Sequence, residues 1–542
     1  MAIKFPKVMI FYIFITNINS QPDSRFRPFD WIVYRGSGSI SSITEGYNYA
    51  FIGTSQGGVK RFNLFGNYFD SPLTRAQGLK DNNISAIHFD KQTGFLWIST
   101  PQHIQYSFSR EGGWYSKSLS SIGLSKFDSI YRIGSTANFI WLEARSSYVK
   151  LDNSSGTMIG IFPRPDELDI NWSSGLYKGE TILKTVLLDY HILDGWIYNG
   201  DEMIDPYGRR SIISTGFSGA HGNIYFGSRD GKIFLGSKTM QTLSPIRSDI
   251  ENIDVSALIM NEGNMWIGSN DYIHSKGISK LNFDNMSSTF FSYEETINMT
   301  PISVFCLNYY DNELWAGGES NILYYNDKDN FWRTLGENKG VPDGRVLDIE
   351  IDETNLWIAT SKGIGRMERS TLSPDPIGIE KIFNDIPIYD IEKINDQIWI
   401  GTSKGIYIFF NNNPQILDIN SIGRKTFPDN LYNATVIKEH DNIIYIVSEI
   451  GIVTFDFDSK EWILLFTSGL YQNKTVYSMT VNDKFIFLGL EDGLMKINKN
   501  TGLVKEYLFS FIGKVNDIVL DKKAIWLGTS NGLINFKWRR DF

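Results

Sequence analysis

The chain has 542 residues, a formal net charge of −9, 14% aromatic residues, 48 glycines and one cysteine, Cys306. The acidic balance lacks the electrostatic footprint that nucleic acid demands. A lone thiol excludes an intramolecular disulfide, so stability must come from apolar cores and from sheets that leave few open edges.

Lys4 and Lys7 precede an apolar run from Val8 to Thr16 that is too short to span a bilayer. A polar stretch follows, and Ser20 before Gln21 fits a cleavage point. Residues 1–20 are therefore expected to be a signal peptide. No later segment is long and apolar enough for a membrane helix. The mature chain is expected to be periplasmic, or extracellular at the cell surface.

From residue 50 onward one short string recurs roughly every 40–50 residues. It reads Ala50-Phe51-Ile52-Gly53-Thr54, Leu96-Trp97-Ile98-Ser99-Thr100, Met265-Trp266-Ile267-Gly268-Ser269, Ile398-Trp399-Ile400-Gly401-Thr402 and Ile525-Trp526-Leu527-Gly528-Thr529, with further copies between. The gap from Trp141 to Tyr225 is about twice that period and predicts a decayed copy around residues 183–204. Each string follows an apolar segment, as at 84–90, 346–352 and 515–521. Each precedes a Gly turn and another apolar segment, as at 405–410. A fourth piece often opens with Trp, as at Trp332 and Trp462. Strong β-formers between Gly, Asn and Asp turns predict four short strands per repeat. The strings are apolar on both faces, which suits blades packed between neighbours.

The expected fold is all-β: tandem β-propellers of four-stranded blades, about twelve repeats in two rings. Residues 21–240 would form a first propeller of five or six blades, irregular around 153–222. Residues 241–542 would form a second of about seven. The last repeat stops after its third strand. Residues 29–34 and 241–246 read as orphan fourth strands, each closing one ring. An intertwined alternative pairs Trp31 with the final blade.

The recurring Leu-Trp-Ile-Gly-Thr string and connections such as 78–84, 340–346 and 469–476 resemble the two-component regulator propeller repeat. That resemblance implies a periplasmic sensor-type propeller of the kind that detects glycan fragments for hybrid membrane kinases. No kinase, membrane helix or DNA-binding segment is legible in this sequence. The chain is also similar to the two-propeller component of type IX secretion, without its C-terminal β-sandwich.

Three Gly-x-Ser-x-Gly segments, at 53–57, 401–405 and 528–532, match a hydrolase elbow in letters alone. Each recurs at the same repeat position and is followed by a strand, so each reads as a hairpin turn. The six histidines (His88, His103, His191, His221, His274 and His440) have no metal-ligand spacing. No catalytic residue, metal site or cofactor is predicted. Trp97, Trp266, Trp315, Trp357, Trp399 and Trp526 hold a fixed repeat position and read as packing between blades. Two sets of ligand-binding candidates remain. One lies on inter-blade connections and second-to-third strand turns: Asn82, Asn83, Arg229, Asp343, Arg345, Lys362, Lys404, Asn473 and Lys474. The other is the aromatics of the irregular stretch, Trp172, Trp196 and Tyr207. The functional expectation is a non-catalytic binding or sensing module for a polar small molecule such as a glycan fragment, or for an envelope protein partner. An assembly component of an envelope or type IX complex is the alternative, and a propeller lyase or glycosidase a weaker one.

Overall fold

The computed structural model describes residues 25–541 except 126, 176–186, 201, 221, 247–249, 275, 284–285, 411–412 and 419–430. The expected signal peptide and His221 lie outside the described residues.

The described chain is all-β, folded into eleven sheets that are antiparallel but for one short pair. In chain order, sheets 1 to 4 occupy residues 40–73, 86–118, 132–172 and 191–246. Sheets 5 to 10 occupy 257–292, 306–335, 346–374, 388–418, 436–467 and 478–507. Sheet 11 joins residues 515–536 to Trp31–Tyr34. From sheet 5 on, the first strand of each sheet packs on the first strand of the next, and that of sheet 11 packs back on that of sheet 5. The first strand of sheet 2 packs between those of sheets 1 and 3, and Arg210–Ser218, which holds the first-strand place in sheet 4, packs on that of sheet 1.

The recurring tryptophans fill the space between sheets. Trp97 sits among Ile133, Ile140 and Val149 of sheet 3, Trp315 among Val346, Ile349 and Leu356 of sheet 7, and Trp399 among Ile437 and Ile444 of sheet 9. Each of the six is at most 4% exposed. A second device is polar. A bulge in several first strands turns one side chain toward the neighbouring sheet. There the Asp348 carboxylate accepts from the Ile391 amide at 2.9 Å, Asp390 from Ile437 at 2.5 Å and Asp517 from Leu258 at 2.8 Å. The Gly-Thr-Ser strings close second-to-third strand hairpins, where the Thr402 and Thr529 hydroxyls donate to Gly405 O and Gly532 O at 2.8 Å. Gly532 has φ +116, and a Cβ there would stand 2.5 Å from Tyr34 O.

Three expectations change. Residues 242–246 are not an orphan: Thr242–Ile246 pairs with Ile233–Ser237 as part of sheet 4 itself. Trp31–Tyr34 alone supplies a missing strand, pairing with Gly532–Phe536, as the intertwined alternative has it. The decayed repeat does not make a sheet of its own. Ile197–Asn199 and Glu202–Ile204 form a hairpin that extends sheet 4 along Arg210–Ser218. Four sheets, where five or six blades are expected, thus precede residue 247 among the described residues. The chain passes from sheet 11 to sheet 1 through residues 35–39, and residues 250–256 lead into sheet 5. The two crossings are bonded to each other, Gly36 N donating to Asn252 O at 2.9 Å.

Candidate functional site

A cavity of about 860 Å³ opens among sheets 1 to 4. Its wall takes Glu45 from sheet 1, His88 and Lys91 from sheet 2, Arg132 and Trp172 from sheet 3, and Phe217, Ser218 and Lys238 from sheet 4. Glu45, Lys91 and Ser218 mark the ends of first strands. The mouth therefore lies at the end of the sheets opposite the inter-sheet connections.

The floor is a strap, residues 171–175, that bonds to the first strands of all four sheets. Asn171–Trp172 pairs with the first strand of sheet 3. Ser173 N donates to Ile133 O at 3.0 Å, and its hydroxyl meets His88 Nδ1 at 2.6 Å. Ser174 Oγ accepts from Ile43 N at 2.6 Å, and Thr215 Oγ1 donates to Gly175 O at 3.3 Å. A strap tied to every inner strand blocks the axis, so the cavity is blind at that depth. Small residues suit this path because Ser, Ser and Gly fit where four strands converge.

Two ionisable groups in the wall are fully engaged. His88 is buried, and its second nitrogen meets Ser135 Oγ at 2.8 Å. Burial, helped by the Lys91 charge, lowers its pKa to about 3, which keeps the ring neutral. Glu45 accepts from Ala220 N at 3.0 Å and from the Tyr225 hydroxyl at 2.9 Å. Arg132 donates through Nε to Glu143 behind the wall, and its guanidinium lies 4.3 Å from the Trp172 ring. The Lys238 ammonium donates to Ser218 Oγ.

Of the sequence-derived candidates only Trp172 reaches this cavity. Trp196 packs edge-on against Phe234 and lines a second cavity of about 360 Å³ between sheets 4 and 5. Charged groups there consume one another: Arg209 pairs with Asp205 and Glu295, Lys232 with Glu251, and Lys276 with Glu294. Tyr207 is 69% exposed beside Arg209. The connection and turn residues are dispersed and hold turns together. Asn82 Oδ1 accepts from Arg75 N at 2.9 Å, and the Asn83 amide donates to Asp81. Arg229 N donates to Ile212 O, Asn473 N to Ser468 O and Lys404 N to Thr402 Oγ1. Lys362 pairs with Asp343, Arg345 with Glu319 at 3.2 Å, and Lys474 with Asp492 at 3.0 Å.

The cavity was illegible because its wall comes from four first-to-second and third-to-fourth strand turns distant in sequence.

The axis of sheets 5 to 11 carries a different group. Asp348, Glu350, Asp390 and Glu392 surround Lys438, which donates to Glu392 at 3.1 Å. Burial raises the pKa of each acid, Glu350 to about 8 with Glu392 adding repulsion. At the surface His440 Nε2 lies 3.1 Å from Asp483 and 3.4 Å from Asp441, the one such trio among the described residues. The buried Cys306 thiol has its pKa pushed up by burial. Among the described residues no helix is long and apolar enough to cross a membrane.

No family model matches the chain, and no curated protein does. Solved structures do. An extracellular domain assigned to a hybrid two-component system of B. thetaiotaomicron is 16% identical, with 91% of this chain and 69% of that one covered and a TM-score of 0.42. A second such domain is 15% identical over 91% and 75%, with a TM-score of 0.41. Virginiamycin B lyase from Staphylococcus aureus is 14% identical over 52% and 94%, with a TM-score of 0.40.

Proposed function

We propose that the chain is an exported, non-catalytic two-ring propeller that binds a polar small molecule, such as a glycan fragment, in the blind cavity of sheets 1 to 4. The rings are sheets 1 to 4 and sheets 5 to 11, the second completed by residues 31–34. The observation that carries the reading is the cavity itself: roomy, lined by polar side chains together with Phe89, Trp172, Phe217 and Phe226, and floored by a fixed strap. A non-catalytic role is supported by the state of His88 and Glu45. Both ring nitrogens of His88 meet serine hydroxyls, and each Glu45 oxygen accepts a structural hydrogen bond, so both side chains are held in structural roles. The second cavity supports no competing reading, because its charges are already paired.

Calorimetric titration against a panel of oligosaccharides tests the proposal. Saturable binding is expected, and Ser218→Trp, an exposed substitution that fills the mouth, should abolish it without lowering the melting temperature. Binding that survives Ser218→Trp places the ligand elsewhere. Turnover of any panel member would overturn the non-catalytic reading.

A further inference from the structure

We infer that the ligand carries an oxyanion, a carboxylate or sulfate, received by Arg132, Lys91 and Lys238. The inference rests on the cavity being the ligand site, and adds the charge of what enters it. The whole chain is acidic, yet this cavity gathers Lys91, Arg132 and Lys238 in its wall beside Glu45 and Asp189, with Glu143 pairing Arg132 from behind. One of those carboxylates, Glu45, has both oxygens bonded by Ala220 N and Tyr225 O–H. Its charge is already solvated by protein. Asp189 at the mouth is the remaining acid in the wall.

Of the cations, Arg132 is paired with Glu143, while Lys91 and Lys238 have no carboxylate partner among the described residues. Arg132 is fixed from behind by Nε to Glu143 and along its face by Trp172, and the bond to Glu143 is to Nε alone, which leaves the terminal nitrogens for a guest. A guanidinium held on two sides loses little freedom when it accepts an oxyanion in its fork. Lys91 is exposed and contributes to the cavity wall. Among the described residues Lys238 bonds the Ser218 hydroxyl and no carboxylate. A neutral sugar would use the hydrogen bonds but leave this excess charge to water. A carboxylated or sulfated one would neutralise it inside a walled site, where charge-assisted bonds are roughly twice as strong as neutral ones.

The test compares size-matched oligosaccharides that are neutral, carboxylated at C6, or sulfated, titrated into the full chain at low salt and at about 0.5 M salt. The acidic members should bind about tenfold tighter or better at low salt, and the advantage should shrink at high salt. Lys91→Gln/Lys238→Gln, both at exposed positions, should erase that advantage, so that acidic and neutral members bind the variant alike. A preference for carboxylate over sulfate, or the reverse, identifies the source of the oxyanion. Neutral and acidic members binding equally, both blocked by Ser218→Trp, would overturn this inference while the site reading stands. Acidic binding insensitive to Ser218→Trp would overturn both.

Discussion

At the scale of single residues, the repeat writes the same instruction many times: a large indole on the second strand, buried against the next sheet. Trp315 has no exposed surface and touches residues of sheet 7 rather than its own sheet alone. Trp315→Ala should therefore cost about 3–5 kcal/mol, the range for emptying a buried aromatic site. A urea-unfolding series gives that number, and a change below about 1 kcal/mol would mean the sheets do not lean on one another there. The same fixed position made these tryptophans legible as packing residues in the sequence. Trp172 was legible only as an outlier from the frame, since its role depends on a strap whose partners lie in sheets 1, 2, 3 and 4. His88 carried no signal at all, because its two hydroxyl partners are 47 and 85 residues away.

At the scale of elements, the first strands do two jobs. In sheets 7, 8 and 11 a bulged Asp staples one sheet to the next. In the same strands Glu350 and Glu392 face each other near Lys438. Glu350 has a folded pKa of about 8, above its unfolded value, so the folded state holds a proton that the unfolded chain gives up. Stability from this group is full below the unfolded pKa and is lost as pH rises toward 8. Burial of His88 acts in reverse, lowering stability as pH falls from its unfolded pKa toward 3. Between about pH 6.5 and 8 the histidine contributes no slope, so melting temperature should fall with rising pH in that window, and Glu350→Gln should flatten the fall. A rising or flat profile for the parent chain would contradict the placement of these acids. Sequence patterning found the strands and turns because their grammar is local. It misassigned residues 242–246, since a fourth strand looks the same whether it completes its own sheet or another. Only the pairing of Trp31–Tyr34 with Gly532–Phe536 resolves which strand does the latter.

At the scale of the whole molecule, that pairing makes sheets 1 to 4 an excursion between two parts of one continuous circuit. The connections at 35–39 and 250–256 are bonded to each other through Gly36 and Asn252, so the excursion is tethered where the chain leaves and where it returns. The sequence placed function on the connection face, because polar residues concentrate there. The structure engages those residues in hydrogen bonds and ion pairs within turns, and opens a cavity of about 860 Å³ at the other end. The central claim is one ligand site at that end, occupied by a molecule that leaves chemically unchanged. A crystal structure of the chain soaked with its tightest-binding oligosaccharide tests it most directly. The account predicts density for the intact ligand above the strap, with its acidic group between Arg132, Lys91 and Lys238. Density in the axis of sheets 5 to 11 or between sheets 4 and 5, or density for a cleaved product, would contradict it.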